Sequence, residues 1–310
     1  MRTEWRRQSG VALIIALLVV AMAAIVAVAV MARAEAEYRR AQMVLHGEQA
    51  MQYIYGAEHW VMQILLRDRQ DSADDHFGQA WAYDLPPLPV DGGAVRGRLT
   101  DLNGRFNLNN LVTADGEVSE PHLAQFRRLL QALGVADQIQ ASAVVDFIDP
   151  DGETTMPDGA EDQYYLGTEP PHRTPNRPLA SISELALLRD FDQALLPVIA
   201  PHVATLPDRT RLNVNTVSTP VLMSLGEGLS ESAAQSLIEA RADSGYASIE
   251  DFESMLGSAP EPGVPLGLSS DWFMLTLRVS IGSTTLTMYS LLERSPAGPT
   301  RVVARQQTPW

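Results

Sequence analysis

From Val11 to Met31 the chain holds a 21-residue run without one polar side chain, preceded by Arg6 and Arg7 and followed by the mixed-charge stretch RAEAEYRR. At ~1.5 Å per residue, such a run spans a ~30 Å hydrocarbon core as one helix. Further on, Val44, Met51, Ile54, Tyr55, Met62 and Leu65 fall on one helical stripe, with Glu58 the single intruder. No proline or glycine-rich linker divides the two halves. The pattern therefore favours one helix running from lipid to about Leu66 over a tether followed by an unrelated amphipathic helix.

The period then changes. DLPPLPVDGG, Asp84 to Gly93, is a turn-rich break, and AVRGRLTDLNGRFNLN alternates about Asn103-Gly104, which predicts a β-hairpin there. At the far end, WFMLTLRVSIGSTTLTMYSLLERS and TRVVARQQT are rich in β-branched and aromatic residues and predict strands broken at Gly282 and SPAGP. Between these strand-forming segments, residues 110–265 carry helical periodicity and an internal echo. RFNLNNLV at 105 recurs as RLNVNTVS at 211, and ASISELALL at 180 recurs as ASIEDFESML at 247. Two related units, each with a helix, a Leu-Gly turn, a second helix and a serine-capped third helix, are thus inserted between strands of one sheet.

Charge narrows the function. The formal net charge is −15, and the arginines near the start make the remainder more acidic still. Such a surface repels phosphate backbones. SLGEGLSESAAQSLIEAR, within a unit at 211–256, resembles a helix-hairpin-helix, but Glu227, Glu231, Glu239, Asp243, Glu250, Asp251 and Glu253 surround it. A protein scaffold fits it better than a nucleic-acid contact. With no cysteine, disulfides, thiol catalysis and cysteine-held metals are excluded. Arg2, Arg6 and Arg7 place the short N-terminus in the cytoplasm and the bulk across the membrane.

The loop DFIDPDGETTMPDGAEDQYY, residues 146–165, contributes seven carboxylates between Asp146 and Asp162, while no arginine occurs from Leu129 to His172. Bends at Pro150, Gly152, Pro157 and Gly159 suit an ordered loop, in which packed carboxylates require a cation. Hard oxygen donors in flexible geometry suit calcium, with Asp149, Asp151, Glu161 and Asp162 as ligands of one or two sites. The spacing is not that of an EF-hand, and a hydrated acidic loop is the competing reading. Paired carboxylates could also serve as acid and base, but no nucleophile motif, phosphate loop or HExxH accompanies them.

The short basic leader ending at Gly10, the apolar run, the long helix and the terminal strands resemble the type IV pilin-like proteins. Nearly the whole chain is similar to the protein K family of type II secretion, the large minor pseudopilins. SGVALIIALLVV, DLNGRFNLNNL, the acidic loop and LNVNTVSTPVL carry the likeness. The resemblance implies an α+β pilin-like fold, its long N-terminal helix packed on an antiparallel sheet, with a large inserted α-helical domain. It divides the chain into a cleaved leader (1–10), membrane (11–31) and periplasmic (32–66) halves of the helix, a first sheet segment (67–109), the insertion (110–265) and terminal strands (266–310).

It further implies calcium as cofactor and cleavage between Gly10 and Val11 by a prepilin peptidase, with methylation of Val11. The partners implied are the minor pseudopilins I and J, at the tip of a periplasmic pseudopilus that exports folded proteins. The chain is then a single-pass protein of the bacterial inner membrane, not an enzyme, with no small-molecule substrate. Most pilins carry glutamate at the fifth residue after cleavage, where this chain has Ile15. A carboxylate in lipid is costly unless paired, so its loss marks a subunit with no neighbour above it. A membrane-anchored periplasmic calcium-binding scaffold outside type II secretion is the alternative.

Overall fold

The computed structural model describes residues 9–257, 260–295 and 298–308. Residues 1–8 of the expected leader lie outside this range. Helix α1, Ser9–Asp71, is continuous over 63 residues and runs five beyond the expected end. It is the one helix among the described residues long and apolar enough to cross a membrane. Its first half is exposed, with Val11 and Ile15 more than half accessible, whereas Ala50, Ile54, Val61 and Leu65 are buried. Val44 and Tyr55, expected on the buried stripe, are exposed. The stripe instead passes through Glu58, which is 2% exposed. Its carboxylate accepts from the Arg305 guanidinium at 2.8 Å and from Ser290 Oγ at 2.6 Å. The intruder is thus a paired charge that ties α1 to the terminal strands.

β1, Leu85–Val90, and β2, Gly93–Asp101, form an antiparallel hairpin that turns at Asp91-Gly92, where Gly92 has φ +81°. The expected hairpin at Asn103-Gly104 does not form. Asn103 is buried and accepts from the backbone N–H groups of Asp271 and Trp272, while donating to the Arg211 carbonyl. A Cβ at Gly104 would lie 2.5 Å from Thr216 Oγ1. Asn-Gly here serves a close crossing of two segments rather than a turn. The real hairpin was obscured by Pro86, Pro87 and Pro89, which β1 tolerates because it is the edge strand.

Beyond Asp101 the chain leaves the sheet for two successive units. The first comprises β3 (Phe106–Asn107), α2 (Glu120–Ala132), α3 (Ala141–Ile148), α4 (Asp162–Tyr165), a 3-10 segment (Ile182–Leu187), α5 (Leu196–Ile199) and β4 (Val203–Ala204), which pairs parallel with β3. The second comprises β5 (Leu212–Asn213), α6 (Thr219–Met223), α7 (Glu231–Arg241), α8 (Ile249–Leu256) and β6 (Leu266–Gly267), which pairs parallel with β5. The echo extends to single hydrogen bonds. Asn107 Oδ1 accepts from Asn109 N and Asn213 Oδ1 from Asn215 N. Asn109 Oδ1 accepts from Leu179 N, as Asn215 Oδ1 does from Tyr246 N. Two residues after each of those anchors, Ser181 and Ser248 cap the next helical segment.

The units differ from the expected pattern in three respects. The third helix of the first is a 3-10 segment, and the left-handed glycine of the second is Gly228 rather than Gly226. The excursion runs from Leu102 to Asp271, wider than 110–265, because β3 and β6 pair within the units. The chain then returns as β7 (Trp272–Ile281), β8 (Thr284–Arg294) and β9 (Thr300–Gln306), in a five-stranded antiparallel sheet of order β1-β2-β7-β8-β9. Alternate residues Phe273, Leu275, Leu277, Val279 and Ile281 are buried in the core that includes the α1 stripe.

The joint between sheet and insertion is polar and buried. Asp101 Oδ2, at the end of β2, accepts from Thr216 Oγ1, Ser270 Oγ and Asn213 Nδ2 at 2.5, 2.6 and 3.2 Å. Asp75 Oδ2 accepts from Ser270 N and from Arg294, whose guanidinium also reaches Asp68 at 3.1 Å. Burial, and to a lesser degree the charge of Asp75, push the Asp101 carboxyl up to about 6 despite these donors. A carboxyl whose folded pKa exceeds its unfolded value binds its proton more tightly when folded, so this contribution to stability grows as pH falls through 6 towards 4. Wild type is expected to gain roughly 1–3 kcal/mol over Asp101→Asn between pH 7 and 4, measured by urea unfolding of both proteins at each pH.

Candidate metal centre

α3 ends at Ile148, and the first unit then carries residues 149–180 where the second has only 242–247. The acidic loop is thus an insert within the repeat. Its chain folds back so that ligand atoms of Asp149, Asp151 and Glu161 lie within 4.8 Å of one another. Oxygens sharing one calcium at 2.3–2.6 Å are separated by no more than about 5 Å, so the three can serve one ion.

The carboxylates are held by their second oxygens or by burial. Asp151 Oδ1 accepts from Glu153 N at 2.8 Å, and Glu161 Oε2 accepts from Thr174 Oγ1 at 3.1 Å. Asp149 Oδ1, Glu161 Oε1 and Asp146 Oδ2 are buried with no hydrogen-bond partner among the described residues. Two of these orphaned oxygens, on Asp149 and Glu161, belong to the converging trio and, with Asp151, offer acceptors of the kind a hard cation satisfies. Burial first, then the charges of Asp151, Asp146 and Glu161, push Asp149 up to about 7. Burial likewise raises Asp146 and Glu161. No ion pair among the described residues engages Asp146, Asp149, Asp151 or Glu161.

Three of the four expected ligands therefore converge, and Asp162 does not. It opens α4, accepts from Thr174 N and Oγ1 at 3.0 Å, and pairs with Arg173 at 3.0 Å. An arginine just past the acidic run supplies the local counter-charge that the sequence pattern lacked. Two residues were missed. Asp146 is fully buried, with Oδ1 accepting from Thr155 N and Oδ2 against Gly159, where a Cβ would clash. Asn176, at φ +44°, donates to the Asp151 carbonyl at 2.7 Å and keeps a buried, unpartnered Oδ1. The acidic run already contained Asp146, but nothing in the local sequence marks Asn176.

The processing residues lie on α1. Gly10 is exposed with open space where a Cβ would stand, and Val11 and Ile15 project from the apolar half of the helix.

Two family models, both described as type II secretion system (T2SS), protein K, match residues 104–208 and 212–266. Their border falls between the two structural units. The chain is 36% identical to the type II secretion system protein K of Pseudomonas aeruginosa, over 97% of this chain and 93% of that one. It is 34% identical to the protein of that name from Pectobacterium carotovorum, over 97% and 96%. A chain in the crystal structure of the GspK-GspI-GspJ complex of enterotoxigenic Escherichia coli is similar with a TM-score of 0.77 and 26% identity. That likeness covers 87% of this chain and 99% of that one.

Adding and withdrawing calcium tests the candidate centre. A hundredfold excess of calcium over Kd adds about 2.7 kcal/mol to the folded state, so a chelator should lower Tm by several degrees. Asp151→Ala, at an exposed position, should abolish most of that difference, and Asp162→Asn should leave most of it in place, as read by calorimetry with and without calcium.

Proposed function

The chain belongs to the protein K family of type II secretion, the large minor pseudopilins, and from that membership we propose that it starts and caps the periplasmic pseudopilus from the bacterial inner membrane. Its partners in this role are the minor pseudopilins I and J. The reading is carried by its likeness, over 99% of the matched chain, to a subunit from a GspK-GspI-GspJ complex. The chain acts by assembly rather than by turnover.

Each part of the molecule has a physical task in this reading. The exposed apolar half of α1 lies in lipid, while its second half is fixed to the sheet by the buried stripe and the Glu58 pair. Prepilin peptidase cuts between Gly10 and Val11, where the absence of a side chain leaves the scissile bond uncrowded, and Val11 is then methylated. Ile15 spares the helix the ~2.5–3.5 kcal/mol of an unpaired carboxylate in the membrane. In a shaft subunit that carboxylate has the cationic N-terminus of a neighbour as partner. At the tip there is none.

Calcium fits the centre described above, held by Asp149, Asp151 and Glu161, with Asp146 and Asn176 beside it. Bound there, it supplies positive charge that offsets carboxylate repulsion and orders the insert of the first unit. The effect is structural, and it keeps residues 149–180 in one shape.

Two experiments check the reading. Gly10→Leu is expected to leave the precursor uncut in membranes, with no chain starting at Val11 by N-terminal sequencing. Ile15→Glu is expected to co-purify I and J at the wild-type level while leaving secretion unimproved; loss of I and J from the wild-type protein would contradict the assignment.

A further inference from the structure

The sheet has a second face. α1 packs on one side, against Phe273, Leu275 and Leu277, so the alternate positions of β2, β7 and β8 point the other way. The strand register sets these in rows. Thr100 faces Met274, which faces Leu291; the next row is Arg98, Thr276 and Tyr289; the third is Arg96, Arg278 and Thr287. The first unit overhangs the first two rows and leaves a cleft of about 330 Å³, with Met274, Leu291, Pro197 and Ile182 among its apolar walls. Arg105 also lines it, half-buried, with Nη1 donating to the Ala200 carbonyl at 3.1 Å. The third row lies outside the cleft, about 7 Å further along the strands.

Charge on this face is opposite in sign to that of the molecule. The chain has a net charge of −15, yet no outward position of β2 from Ala94 to Thr100, of β7 from Met274 to Ser280 or of β8 from Thr285 to Leu291 is acidic. Arg96 and Arg278 are exposed and stand directly opposite one another. Like Arg105, they form no ion pair among the described residues. Arg98 pairs with Asp84 at 2.9 Å, at an exposed position. Like charges on facing strands, with Cβ atoms roughly 4.5–5.5 Å apart, destabilise a sheet. A carboxylate set between the two guanidinium groups turns that repulsion into attraction.

The bilayer does not reach this face. His46 packs at the β7–β8 turn, where a Cβ on Gly282 would lie 2.7 Å from its ring. At ~1.5 Å per residue, that point stands about 22 Å along α1 from Met31. Salt confines the field of lipid headgroups to roughly 10 Å. An extended polypeptide does match the rows, because its same-side residues repeat every ~7 Å as the rows do. One apolar side chain in the cleft then sets the second and fourth residues beyond it over Arg98 and over the Arg96–Arg278 pair.

We propose that the outer face of the sheet docks an acidic, extended segment of another protein, with one apolar side chain in the cleft beneath the first unit and carboxylates on Arg98, Arg96 and Arg278. The face points away from α1, so it stays open when α1 packs against other helices. It depends on neither the calcium centre nor the place of the chain in the pseudopilus.

The test is methyl NMR of full-length protein carrying ¹³C-methyl methionine, in phosphatidylcholine nanodiscs at pH 7. Met274, which lines the cleft, is the reporter, its resonance assigned with Met274→Leu. The probes are acetyl-Leu-Ser-Glu-Ser-Glu-amide and its reverse, acetyl-Glu-Ser-Glu-Ser-Leu-amide, each compared with versions carrying glutamine for glutamate or alanine for leucine. A saturable Met274 shift with either acidic leucine peptide, weakened about tenfold by each replacement, supports the site. Arg96→Gln/Arg278→Gln should weaken binding by a similar factor and leave the Tm of the free protein unchanged or higher, since it removes a like-charge pair. No saturable shift with either peptide, equal affinity for the glutamine versions, or full affinity in the double variant would overturn the proposal. So would a Met274 shift on transfer to phosphatidylglycerol nanodiscs with no further response to peptide, which would make a lipid surface the occupant.

Discussion

How the insertion sits on the sheet depends on one buried charge arrangement at the point where it leaves and rejoins the strands. Asp75 follows the end of α1, Asp101 ends β2, Ser270 precedes β7, and Arg294 ends β8. Arg294 Nε and Nη2 donate to the Ser270 carbonyl while the same guanidinium meets Asp68 and Asp75. Asn213 adds the second unit, donating to the Asp75 carbonyl, Asp101 Oδ2 and Ser270 Oγ. Truncating any one member would strand buried partners, a loss larger than that of an exposed pair. Apolar packing could hold the insertion on the sheet, but it would not specify one orientation as this set of directed bonds does.

Much of this architecture is legible in the sequence, for reasons tied to particular residues. The membrane half of α1 shows as an unbroken apolar run, and β7 to β9 show as β-branched segments with Gly282 between them. The repeat is legible because the asparagines at 107 and 109, and at 213 and 215, do the same backbone work in both units. The hairpin was misplaced because Asn-Gly also serves where two segments cross tightly, a constraint set by Thr216, more than a hundred residues away. Glu58 read as an intruder because its partner, Arg305, lies on the last strand. Local pattern reports period and turn chemistry; it carries no record of which distant side chain completes a charge.

The candidate metal centre shows the same division. The density of carboxylates marks the loop, and the bends at its prolines and glycines mark it as ordered. Which oxygens face one another depends on how the insert folds back on α3. Asp162 is drawn away by Arg173 and Thr174, whereas Asp146 is carried inside by its helix. The repeat gives the loop its meaning: the second unit closes the same turn in a few residues, so the extra length of the first is an addition to a complete scaffold. Its carboxylates bring repulsion that the scaffold itself does not require, and that a divalent cation at the candidate centre would offset.

The central claim, that this chain is a terminal subunit rather than a shaft component, is tested most directly by counting its copies along isolated pseudopili with gold-labelled antibody in the electron microscope. The account predicts one label at a single end of each filament. Labels repeated at regular intervals along the shaft would contradict it.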